Sequence, residues 1–450
     1  MAASSDETPL ASYDDLFLPF HDAEKSRDRF RVGAEMEKPG VYESDFSPVP
    51  YEGDRGVKRV LAELQSKFGW HAERETSDGP IIALTKNSAS ITLEPGAQLE
   101  LSGAPLETMH EIKTEFDAHL AEIAPISKEL GIAWLGIGFH PFATRDELPW
   151  VPKLRYGIMR RYLPTRGKFA LDMMQRTSTV QANYDYANEE DAMRKLRVSL
   201  KLAPLTTALF ANSPWYEGKT HGGPSYRAKV WLDVDNDRSG LVPAVWHEGS
   251  KYKDYVEWAL DVPMFLVKRG NTVHENTGQP FRAFWKEGFQ GVRATRGDWQ
   301  THINTLFPEV RLKRTLEIRG ADAQSRELAS ALPALWTGIL YDDRALADAE
   351  ALTRDFGFAE VQASRAAIGR LGIGAPFRGA PLRALAERIL DIAKGGLVRR
   401  ARKDVNGRDE SVLLAPLQSL VSRGETPGDA LLAAAGPDAS RAAIVDASRL

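Results

Sequence analysis

Residues 33–38, Gly-Ala-Glu-Met-Glu-Lys, carry two glutamates that are two positions apart and alternate with an apolar side chain. Side chains at alternate positions of a β-strand share one face of the sheet. Glu35 and Glu37 would therefore lie together on one face, and Met36 would lie on the other. The segment 31–38 is accordingly predicted to be a strand with an acidic face.

A second segment repeats this pattern in residues 90–101, which end in Leu-Glu-Pro-Gly-Ala-Gln-Leu-Glu-Leu. We predict a strand here that is interrupted by its Pro-Gly step. Gln98 and Glu100 share one face of such a strand, and leucines occupy the other. Glu94 joins them only if the Pro-Gly step leaves the register unchanged, because a bulge there would shift it.

Residues 316–319, Leu-Glu-Ile-Arg, form a third such segment, in which Glu317 and Arg319 share a face. A single strand of this kind is usually the wet face of a sheet, where polar and apolar residues alternate by default. Three acidic strands with no lysine at the alternate positions are harder to explain in that way. If they are neighbours in one sheet, five carboxylates converge.

Such a cluster has an electrostatic consequence. Two unit charges about 4 Å apart repel by about 4 kcal/mol at an effective dielectric constant of 20. Several such pairs require protons or cations to neutralise them. Carboxylate and amide oxygens suit Mg²⁺, which usually keeps positions open for water and phosphate oxygens. The pattern therefore indicates magnesium and phosphoryl transfer from a nucleotide.

The order of predicted elements favours an α+β fold with a mainly antiparallel sheet, because strands and helices do not alternate regularly up to about residue 330. The clearest helix is predicted over 105–130, followed by Gly131 as its stop. From Arg326 onward helical patterns follow one another. We predict three regions: a disordered leader 1–12, a catalytic antiparallel-sheet domain 13–345, and a helical C-terminal region 346–450 packed on it.

Composition excludes several classes of protein. The chain has 450 residues with 58 Lys and Arg against 62 Asp and Glu, and it lacks the basic excess of a nucleic-acid binder. It has no cysteine, which excludes disulfides, thiolate catalysis and cysteine-ligated metals. Neither a secretory signal nor an apolar stretch of membrane-spanning length is present. These features predict a cytoplasmic protein without nucleic-acid or membrane partners.

Common catalytic and nucleotide-binding motifs are absent. Gly218-Lys219-Thr220 resembles the end of a P-loop, but Ser213 stands where its first glycine is required. The sequence also lacks GxGxxG after a strand, HExxH and GxSxG. Nucleotide binding would therefore use a fold without these loops.

The chain resembles a known family, the plant-type glutamate–cysteine ligases that also occur in proteobacteria. The resemblance extends from residue 33 to about 345, with a weaker continuation through the C-terminal helices. The stretch 307–322 (FPEVRLKRTLEIRGAD) is long and specific. The other matching stretches are GAEMEK (33–38), LEPGAQLELSGAPL (93–106), LDMMQRTSTVQAN (171–183), Asn212-Ser213-Pro214, Tyr226-Arg227 with Asp233-Val234-Asp235, ALDVPM (259–264) and Pro376-Phe377-Arg378.

The resemblance implies a fold of the glutamine synthetase-like carboxylate–amine ligase type, a curved antiparallel sheet surrounded by helices. It implies that ATP phosphorylates the glutamate side chain and that the amine of cysteine attacks the acyl phosphate, the first step of glutathione biosynthesis. L-Glutamate, L-cysteine, ATP and Mg²⁺ are thus the expected ligands. The metal–nucleotide side is expected to comprise Glu35, Glu37, Glu94, Gln98, Glu100 and Glu317.

The resemblance also suggests substrate and catalytic residues, each with a plainer alternative. Arg227 resembles the arginine that grips the substrate α-carboxylate, although a surface ion pair would also explain it. Met174 and Phe265 resemble walls of the cysteine pocket, although both would also suit the core. Arg319 is expected to stabilise charge on the transferred phosphoryl group, or else to pair with Glu317. Catalytic residues are thus Arg319 and Glu317, and Arg176 is a further substrate-binding candidate.

Two departures from the family pattern matter. Ser178 stands where the plant motif RTCTV has cysteine, so thiol-based regulation should not transfer, and we expect a monomer or a weak homodimer. Family members commonly have tyrosine in the wall near Phe265. Two alternatives stay open: a related glutamate–amine ligase with a different acceptor or downstream thiol, and a catalytically degenerate nucleotide- and metal-binding partner protein.

Overall fold

A computed structural model describes residues 6–76, 78–270, 272–436 and 438–450. Its strands, in chain order, are β1 Val32–Lys38, β2 Gly40–Tyr42, β3 His71–Glu73, β4 Ala83–Lys86, β5 Ala89–Leu93, β6 Leu99–Ser102, β7 Ile132–Trp134, β8 Thr179–Tyr184, β9 Trp215–Tyr216, β10 Lys219–Thr220, β11 Ser239–Gly240, β12 Val267–Arg269, β13 Thr272–His274, β14 Phe307–Pro308, β15 Val310–Leu312, β16 Leu316–Asp322, β17 Pro376–Phe377 and β18 Ala380–Pro381.

The α-helices, in chain order, are α1 Leu18–His21, α2 Val57–Phe68, α3 Met109–Leu130, α4 Leu154–Tyr162, α5 Ala170–Arg176, α6 Glu189–Lys201, α7 Ala203–Leu209, α8 Tyr226–Val230, α9 Tyr252–Asp261, α10 Phe281–Glu287, α11 Arg296–Ile303, α12 Ala331–Leu340, α13 Asp343–Thr353, α14 Phe358–Leu371, α15 Leu382–Arg400, α16 Ala415–Arg423, α17 Pro427–Ala435 and α18 Arg441–Ser448. Short 3₁₀ turns are Tyr13–Leu16, Arg27–Arg29, Leu163–Thr165, Pro243–Val245, Gly372–Gly374 and Glu410–Leu414.

The central element is an eight-stranded sheet in the order β15-β16-β8-β1-β6-β5-β4-β3. Every neighbouring pair in this sheet is antiparallel. The predicted α+β class with an antiparallel sheet is therefore confirmed. All three acidic segments lie near the centre of one sheet, because β16, β8, β1, β6 and β5 are consecutive neighbours.

The two faces of the sheet differ in chemistry. The side chains of Ala34 and Met36 lie on the face that carries Leu101, Val180 and Ala182, and all of them are buried. Helices α3 and α12 pack against β1 on this side. The opposite face carries the glutamates, so the period-2 alternation in the sequence separates an apolar core from a polar face.

The segment 90–101 differs from the prediction, because it forms two strands and not one interrupted strand. β5 and β6 pair antiparallel, with Leu93 opposite Leu99, so Pro95-Gly96 lies in the turn of a hairpin. A proline has no backbone N–H for the ladder, and a turn is where its absence is tolerated.

Helix α3 begins later than predicted, at Met109 and not at residue 105. Thr108 is its N-cap. The Thr108 side chain accepts a hydrogen bond from the Glu111 backbone N–H at 3.1 Å, and the Glu111 carboxylate accepts one from the Thr108 backbone N–H at 2.8 Å. This capping box fixes the start of the helix. Its end at Gly131, with φ of 65°, is as predicted.

Two predicted boundaries need correction. Of the predicted disordered leader, residues 1–5 lie outside the described residues, but residues 6–12 are held in place. Pro9 forms a β-bridge with Thr295, and Leu10 is buried. The predicted boundary at 345/346 falls inside α13, and the helical layer already begins with α12. α12 packs on both β8 and α15, so the helical region and the sheet are in direct contact.

No helix within the described ranges is long and apolar enough to cross a bilayer.

Candidate active site

A row of acidic side chains crosses the polar face of the central strands. This acid row consists of Glu35, Glu37, Glu94 and Glu100, together with the amide of Gln98. Glu37 on β1 lies directly opposite Glu100 on β6, and Glu35 lies opposite Ser102. Directly opposed side chains of an antiparallel pair have Cβ atoms about 4.5–5.5 Å apart. The structure therefore brings together the glutamates that the alternating pattern singled out.

Glu94 and Gln98 join this row through the β5–β6 hairpin and not along one strand. The Glu94 backbone N–H donates to the Gln98 carbonyl at 3.1 Å, which places the two residues opposite each other. Gln98 Nε2 donates to the Thr177 carbonyl at 2.9 Å, which fixes the amide. Gln98 Oε1 is buried and has no hydrogen-bond partner among the described residues, so it is an acceptor that a ligand can use.

The hydrogen bonds to Glu35 and Glu37 come from β8, the strand next to β1. Glu37 accepts from the Thr179 backbone N–H at 2.9 Å, from Thr179 Oγ1 at 3.0 Å and from Gln181 Nε2 at 3.0 Å. Glu35 Oε1 accepts from Asn183 Nδ2 at 2.9 Å. These donors are neutral, so the negative charges are oriented without being neutralised.

Burial, and after it the charges of neighbouring acids, raises the pKa values of three of these glutamates. Burial, followed by repulsion from Glu317 and Glu100, raises the pKa of Glu35 to about 7. Burial and the charges of Glu94 and Glu100 raise the pKa of Glu37 well above its ordinary value. Burial and Glu100 also raise the pKa of Glu94. Each shift records unfavourable ionisation that a divalent cation would relieve.

The chemistry of these oxygen donors fits Mg²⁺. The row offers carboxylates that repel one another and the unused amide oxygen of Gln98. In the part of the chain that the structure describes, no three His, Asp or Glu side chains form a preassembled cation site. Mg²⁺ commonly takes one or two carboxylates and completes its shell with water and phosphate oxygens, so an incomplete protein shell is compatible with it.

Glu317 differs from the other acids because three cations surround it. Its carboxylate accepts from Arg311 Nε at 2.6 Å, Lys313 Nζ at 2.8 Å and Arg319 Nη1 at 3.2 Å. Burial alone would raise the pKa of Glu317, but the three cations hold that pKa well below its ordinary value. Its geometry therefore favours an anchor for these cations over the predicted metal ligand.

Arg311 and Lys313 were not among the candidates from the sequence. Both lie on the β15 side of a tight hairpin, where Arg311 is directly opposite Glu317. The signal that would have found them is the alternation Arg311-Leu312-Lys313, three residues before the Leu-Glu-Ile-Arg segment. A hairpin places such a positive face beside the negative one.

Arg319 sits at an irregularity in β16. The register with β8 shifts between Ile318 and Ala321, which leaves Arg319 and Gly320 in a bulge. Bulges re-aim side chains and recur next to active sites. Arg319 Nη1 donates to Gln181 Oε1 at 2.8 Å, while Arg319 Nε is buried without a partner among the described residues. The Arg319 guanidinium therefore lies beside the acid row, and its Nε–H is free to donate a hydrogen bond to a ligand.

Arg227 and Arg176 also retain unused donors. Arg227, on α8, is 3% exposed, and its Nε has no hydrogen-bond partner within the described ranges. Arg176, at the end of α5, is likewise 3% exposed and uses Nη1 for Asp172 at 3.0 Å and Glu217 at 3.1 Å. Its Nε and Nη2 lack partners in the same part of the structure. Neither arginine is a surface ion pair.

Met174 and Phe265 are both core residues in the structure. Met174 is 2% exposed and Phe265 is 4% exposed. The guanidinium of Arg238 lies 4.0 Å from the centre of the Phe265 ring, and Tyr162 meets that ring edge-on at 5.8 Å. The Phe265 ring is also 6.3 Å from the Phe307 ring, and the Arg319 guanidinium lies 6.0 Å from the centre of that second ring. Phe265 is thus connected to Arg319 through the ring of Phe307.

The raised pKa of Glu35 predicts how stability depends on pH. Its folded value of about 7 exceeds its ordinary value of 4.5, so ionisation opposes folding above about pH 7, and the cost disappears as the pH falls towards 4.5. We expect the cation-free protein to gain about 1–2 °C in Tm between pH 8 and pH 6 from this group. Thermal unfolding in EDTA would measure this. Glu35→Gln should have a shallower slope, and equal slopes would contradict the assignment.

An antiparallel sheet that carries buried carboxylates beside arginines with unused donors is typical of enzymes that act on anionic substrates. Residues 31–448 match the model of the glutamate–cysteine ligase family 2 (GCS2). The chain is 42% identical over 411 residues to glutamate–cysteine ligase B, chloroplastic, of Oryza sativa subsp. japonica, which covers 91% of this chain and 81% of that protein. The chloroplastic glutamate–cysteine ligase of Arabidopsis thaliana is also 42% identical over 411 residues and covers 91% and 77%. The chain therefore belongs to the glutamate–cysteine ligase family 2.

A solved structure supports the fold. It is a glutamate–cysteine ligase of Francisella tularensis in complex with AMP, with a TM-score of 0.55, 12% sequence identity, and coverage of 93% of this chain and 87% of that one. Together with the family match, these findings confirm the resemblance stated from the sequence, the fold and the expectation of a glutamate–cysteine ligase enzyme.

The predicted cytoplasmic location is wrong by the same comparison. The curated relatives at 41–42% identity are named chloroplastic, which contradicts the cytoplasmic prediction. The prediction rested on the lack of an apolar signal segment, and that lack argues only against secretion. Transit peptides to plastids are amphipathic and rich in serine and arginine, so an apolar stretch is not their mark.

Proposed function

We propose that this enzyme joins the γ-carboxylate of L-glutamate to the amine of L-cysteine at the expense of ATP, with Mg²⁺, as the first step of glutathione biosynthesis. The observation that carries the proposal is the row of Glu35, Glu37 and Glu100 beside Arg319, in a chain of this family. A reaction between a carboxylate and a triphosphate brings two anions together. It therefore needs acidic side chains that hold a metal cation and arginine that binds the anions directly.

The residues proposed to hold Mg²⁺ are the acids with raised pKa values and the amide with an unused oxygen. When bound, Mg²⁺ would draw charge from the β- and γ-phosphates of ATP and so reduce their repulsion towards the attacking carboxylate. Glu317 would act one step further away by holding Arg311, Lys313 and Arg319 in place. The proposed cation ligands are Glu35, Glu37, Glu94, Gln98 and Glu100.

The proposed reaction has two steps. A γ-carboxylate oxygen of glutamate attacks the γ-phosphorus of ATP, and the bond to the β–γ bridging oxygen breaks to release ADP. The neutral amine of cysteine then attacks the carbonyl carbon of γ-glutamyl phosphate. The C–N bond forms, the bond to the phosphate oxygen breaks, and the amine loses a proton as inorganic phosphate leaves.

The arginines have separate proposed tasks. Arg319, with its free Nε facing the acid row, would stabilise charge on the phosphoryl group during transfer. Arg227, buried and with its own free Nε, would bind the α-carboxylate of glutamate by a charge-assisted hydrogen bond. Arg176 is proposed as a second substrate-binding arginine, because two of its donors are unused.

One assay tests the whole proposal. The purified enzyme, supplied with glutamate, cysteine, ATP and Mg²⁺, should release phosphate and form γ-glutamylcysteine in equal amounts. Omission of any one of the four should abolish product. Phosphate release without a coupled peptide product, or no turnover with any amine of a broad panel, would contradict it.

A second prediction concerns the choice of acceptor. If Phe265 lines the cysteine pocket, the pocket wall carries no hydroxyl there, and an apolar wall discriminates weakly between side chains of similar size. We expect kcat/KM for 2-aminobutyrate to lie within about tenfold of the value for cysteine. Phe265→Tyr should increase the preference for cysteine. A preference above about 1,000-fold in the unmodified enzyme would contradict this assignment.

A further inference from the structure

Three sequence segments that are far apart in the chain meet at one buried carboxylate, that of Asp322. The segments are Asn212-Ser213, the start of α8 at Ser225–Arg227, and the end of β16. Each belongs to a stretch that matches the family, yet Asp322 has no part in the acid row. Asp322 has no exposed surface, so its charge requires a local explanation.

One oxygen of Asp322 is fully used. Oδ2 accepts from the Asn212 backbone N–H at 2.8 Å, from Ser213 Oγ at 2.6 Å and from Ser225 Oγ at 2.9 Å. Gly138 closes the site from another side, because a Cβ there would lie 2.4 Å from the Asp322 side chain. The carboxylate is therefore fixed in position and orientation.

The other oxygen points at the arginine proposed to hold glutamate. Oδ1 has no hydrogen-bond partner among the described residues and lies 3.6 Å from Nη1 of Arg227. Arg227 itself donates from Nη2 to the Arg319 carbonyl at 3.0 Å and from Nη1 to the Gly320 carbonyl at 3.3 Å. Those carbonyls belong to the bulge of β16. The backbone of the bulge and the Asp322 carboxylate thus fix the two terminal nitrogens of the Arg227 guanidinium.

Among the described residues, Nε is the one nitrogen of the Arg227 guanidinium that makes no hydrogen bond. Both terminal nitrogens face the bulge and Asp322, while Nε stays unpaired. Burial raises the pKa of Asp322, whereas Arg227 and the three donors at Oδ2 oppose that increase by favouring the ionised carboxylate. Asp322 is also the one carboxylate within 4 Å of Arg227 in the described part of the chain.

We propose that Asp322 is a positioning residue that sets the orientation of Arg227 and thereby the affinity for the first substrate, an amino acid with an α-carboxylate. The proposal rests on the proposed function of Arg227. The bulge at Arg319 and Gly320 provides two of the contacts that fix Arg227, so Asp322 also links the substrate arginine to the strand that carries Arg319.

Asp322→Asn is the discriminating variant. The three donors at Oδ2 require an oxygen, so the amide oxygen will take that place and the amide NH₂ will face Arg227. The variant thus preserves the volume and the triple hydrogen bond, and it replaces attraction to the guanidinium with opposition. A conservative change therefore tests the contact to Arg227 apart from the packing.

The experiment is steady-state kinetics of the whole enzyme with glutamate varied at saturating ATP, Mg²⁺ and cysteine. We expect Asp322→Asn to raise the KM for glutamate at least tenfold, with the KM values for ATP and cysteine changed less than twofold. Asp117→Asn is the matched control, because Asp117, on α3, pairs with Arg326 and Lys113 far from Asp322 in the sequence, and it should leave all three values unchanged. An unchanged KM for glutamate in Asp322→Asn would overturn the proposal.

A double-mutant cycle separates positioning from a general structural effect. In an Arg227→Gln background, Asp322→Asn should add less than a twofold change in the KM for glutamate. If Asp322→Asn raises the KM for glutamate by the same factor in the parent enzyme and in the Arg227→Gln variant, Asp322 acts independently of Arg227, and the proposal fails.

A crystal structure of Asp322→Asn makes the test independent of activity. We expect the Arg227 guanidinium to leave the carbonyls of Arg319 and Gly320, and an unmoved guanidinium would overturn the proposal. If Arg227→Gln leaves the KM for glutamate unchanged, the substrate role of Arg227 is wrong, while the displacement in the crystal still decides whether Asp322 positions this arginine.

Discussion

Glu35→Gln is expected to lower kcat by about 10²–10³-fold or more while the protein stays as stable as before, or becomes more stable. The loss of a carboxylate that helps to hold Mg²⁺ removes several kcal/mol of stabilisation from the transition state. The gain in stability follows from the raised pKa of about 7, because an ionised Glu35 opposes folding at pH 8 by about 3 kcal/mol. An uncharged amide of the same shape removes that opposition.

Steady-state turnover and thermal unfolding at pH 8 measure these two effects on the same protein. Glu387→Gln is the matched control, because Glu387 is exposed on α15 and its one ion pair among the described residues is with Arg383, one turn away. It should change neither quantity by much, since exposed i, i+4 pairs contribute about 0.3–0.5 kcal/mol. Near-normal turnover of Glu35→Gln would refute a metal-binding role for Glu35.

Glu317→Gln is expected to have the opposite effect on stability, although it stands on the same face of the sheet. Its carboxylate is the shared partner of Arg311, Lys313 and Arg319. Removal of one partner from a buried ion pair leaves uncompensated charge and typically costs 3–5 kcal/mol. We therefore expect a large fall in Tm, together with a loss of turnover because Arg319 is no longer held.

A second substitution tests this explanation. Arg311 is 4% exposed and lies directly opposite Glu317, so Arg311→Met in the Glu317→Gln background removes one of the stranded cations. The double variant should recover part of the lost Tm without recovering turnover. If Glu317→Gln unfolds at the same temperature as the parent, the three cations do not depend on Glu317, and the anchoring role is wrong.

The contrast between the two glutamates marks how far sequence reasoning reaches. The sequence placed Glu35, Glu37, Glu100 and Glu317 on polar faces of strands, because side-chain direction in a strand depends only on a period of two. It assigned all four to the metal–nucleotide side, and it named Glu317 as a catalytic residue as well. It did not distinguish an acid surrounded by acids from an acid surrounded by cations, because that difference depends on which strands become neighbours.

The hairpin at Pro95-Gly96 is a second example. A Pro-Gly step interrupts a strand in any fold, but a bulge and a reversal of direction both satisfy that local rule. The pairing of β5 with β6 selected the reversal and thereby brought Glu94 opposite Gln98. The strand pattern left open whether Glu94 joins Gln98, and in the structure the two residues meet across two strands.

The convergence at Asp322 was out of reach from the sequence. Asn212, Ser225 and Asp322 are more than ten residues apart at their closest, and no local pattern connects an N-cap serine to the end of a strand. Their meeting depends on the bulge in β16 and on the packing of α8, which are long-range features. The sequence marked these stretches by family resemblance, and the fold assigned them a common partner.

By itself, then, the sequence determined the fold class, the family and the polar face of each acidic strand, because strand periodicity and family motifs are properties of consecutive residues. Only the tertiary structure decided which acids repel one another, which one is neutralised by arginine and lysine, and which carboxylate stands behind Arg227. The energy of a buried charge depends on its neighbours in space and on its removal from water, and neither is written in the order of residues along the chain.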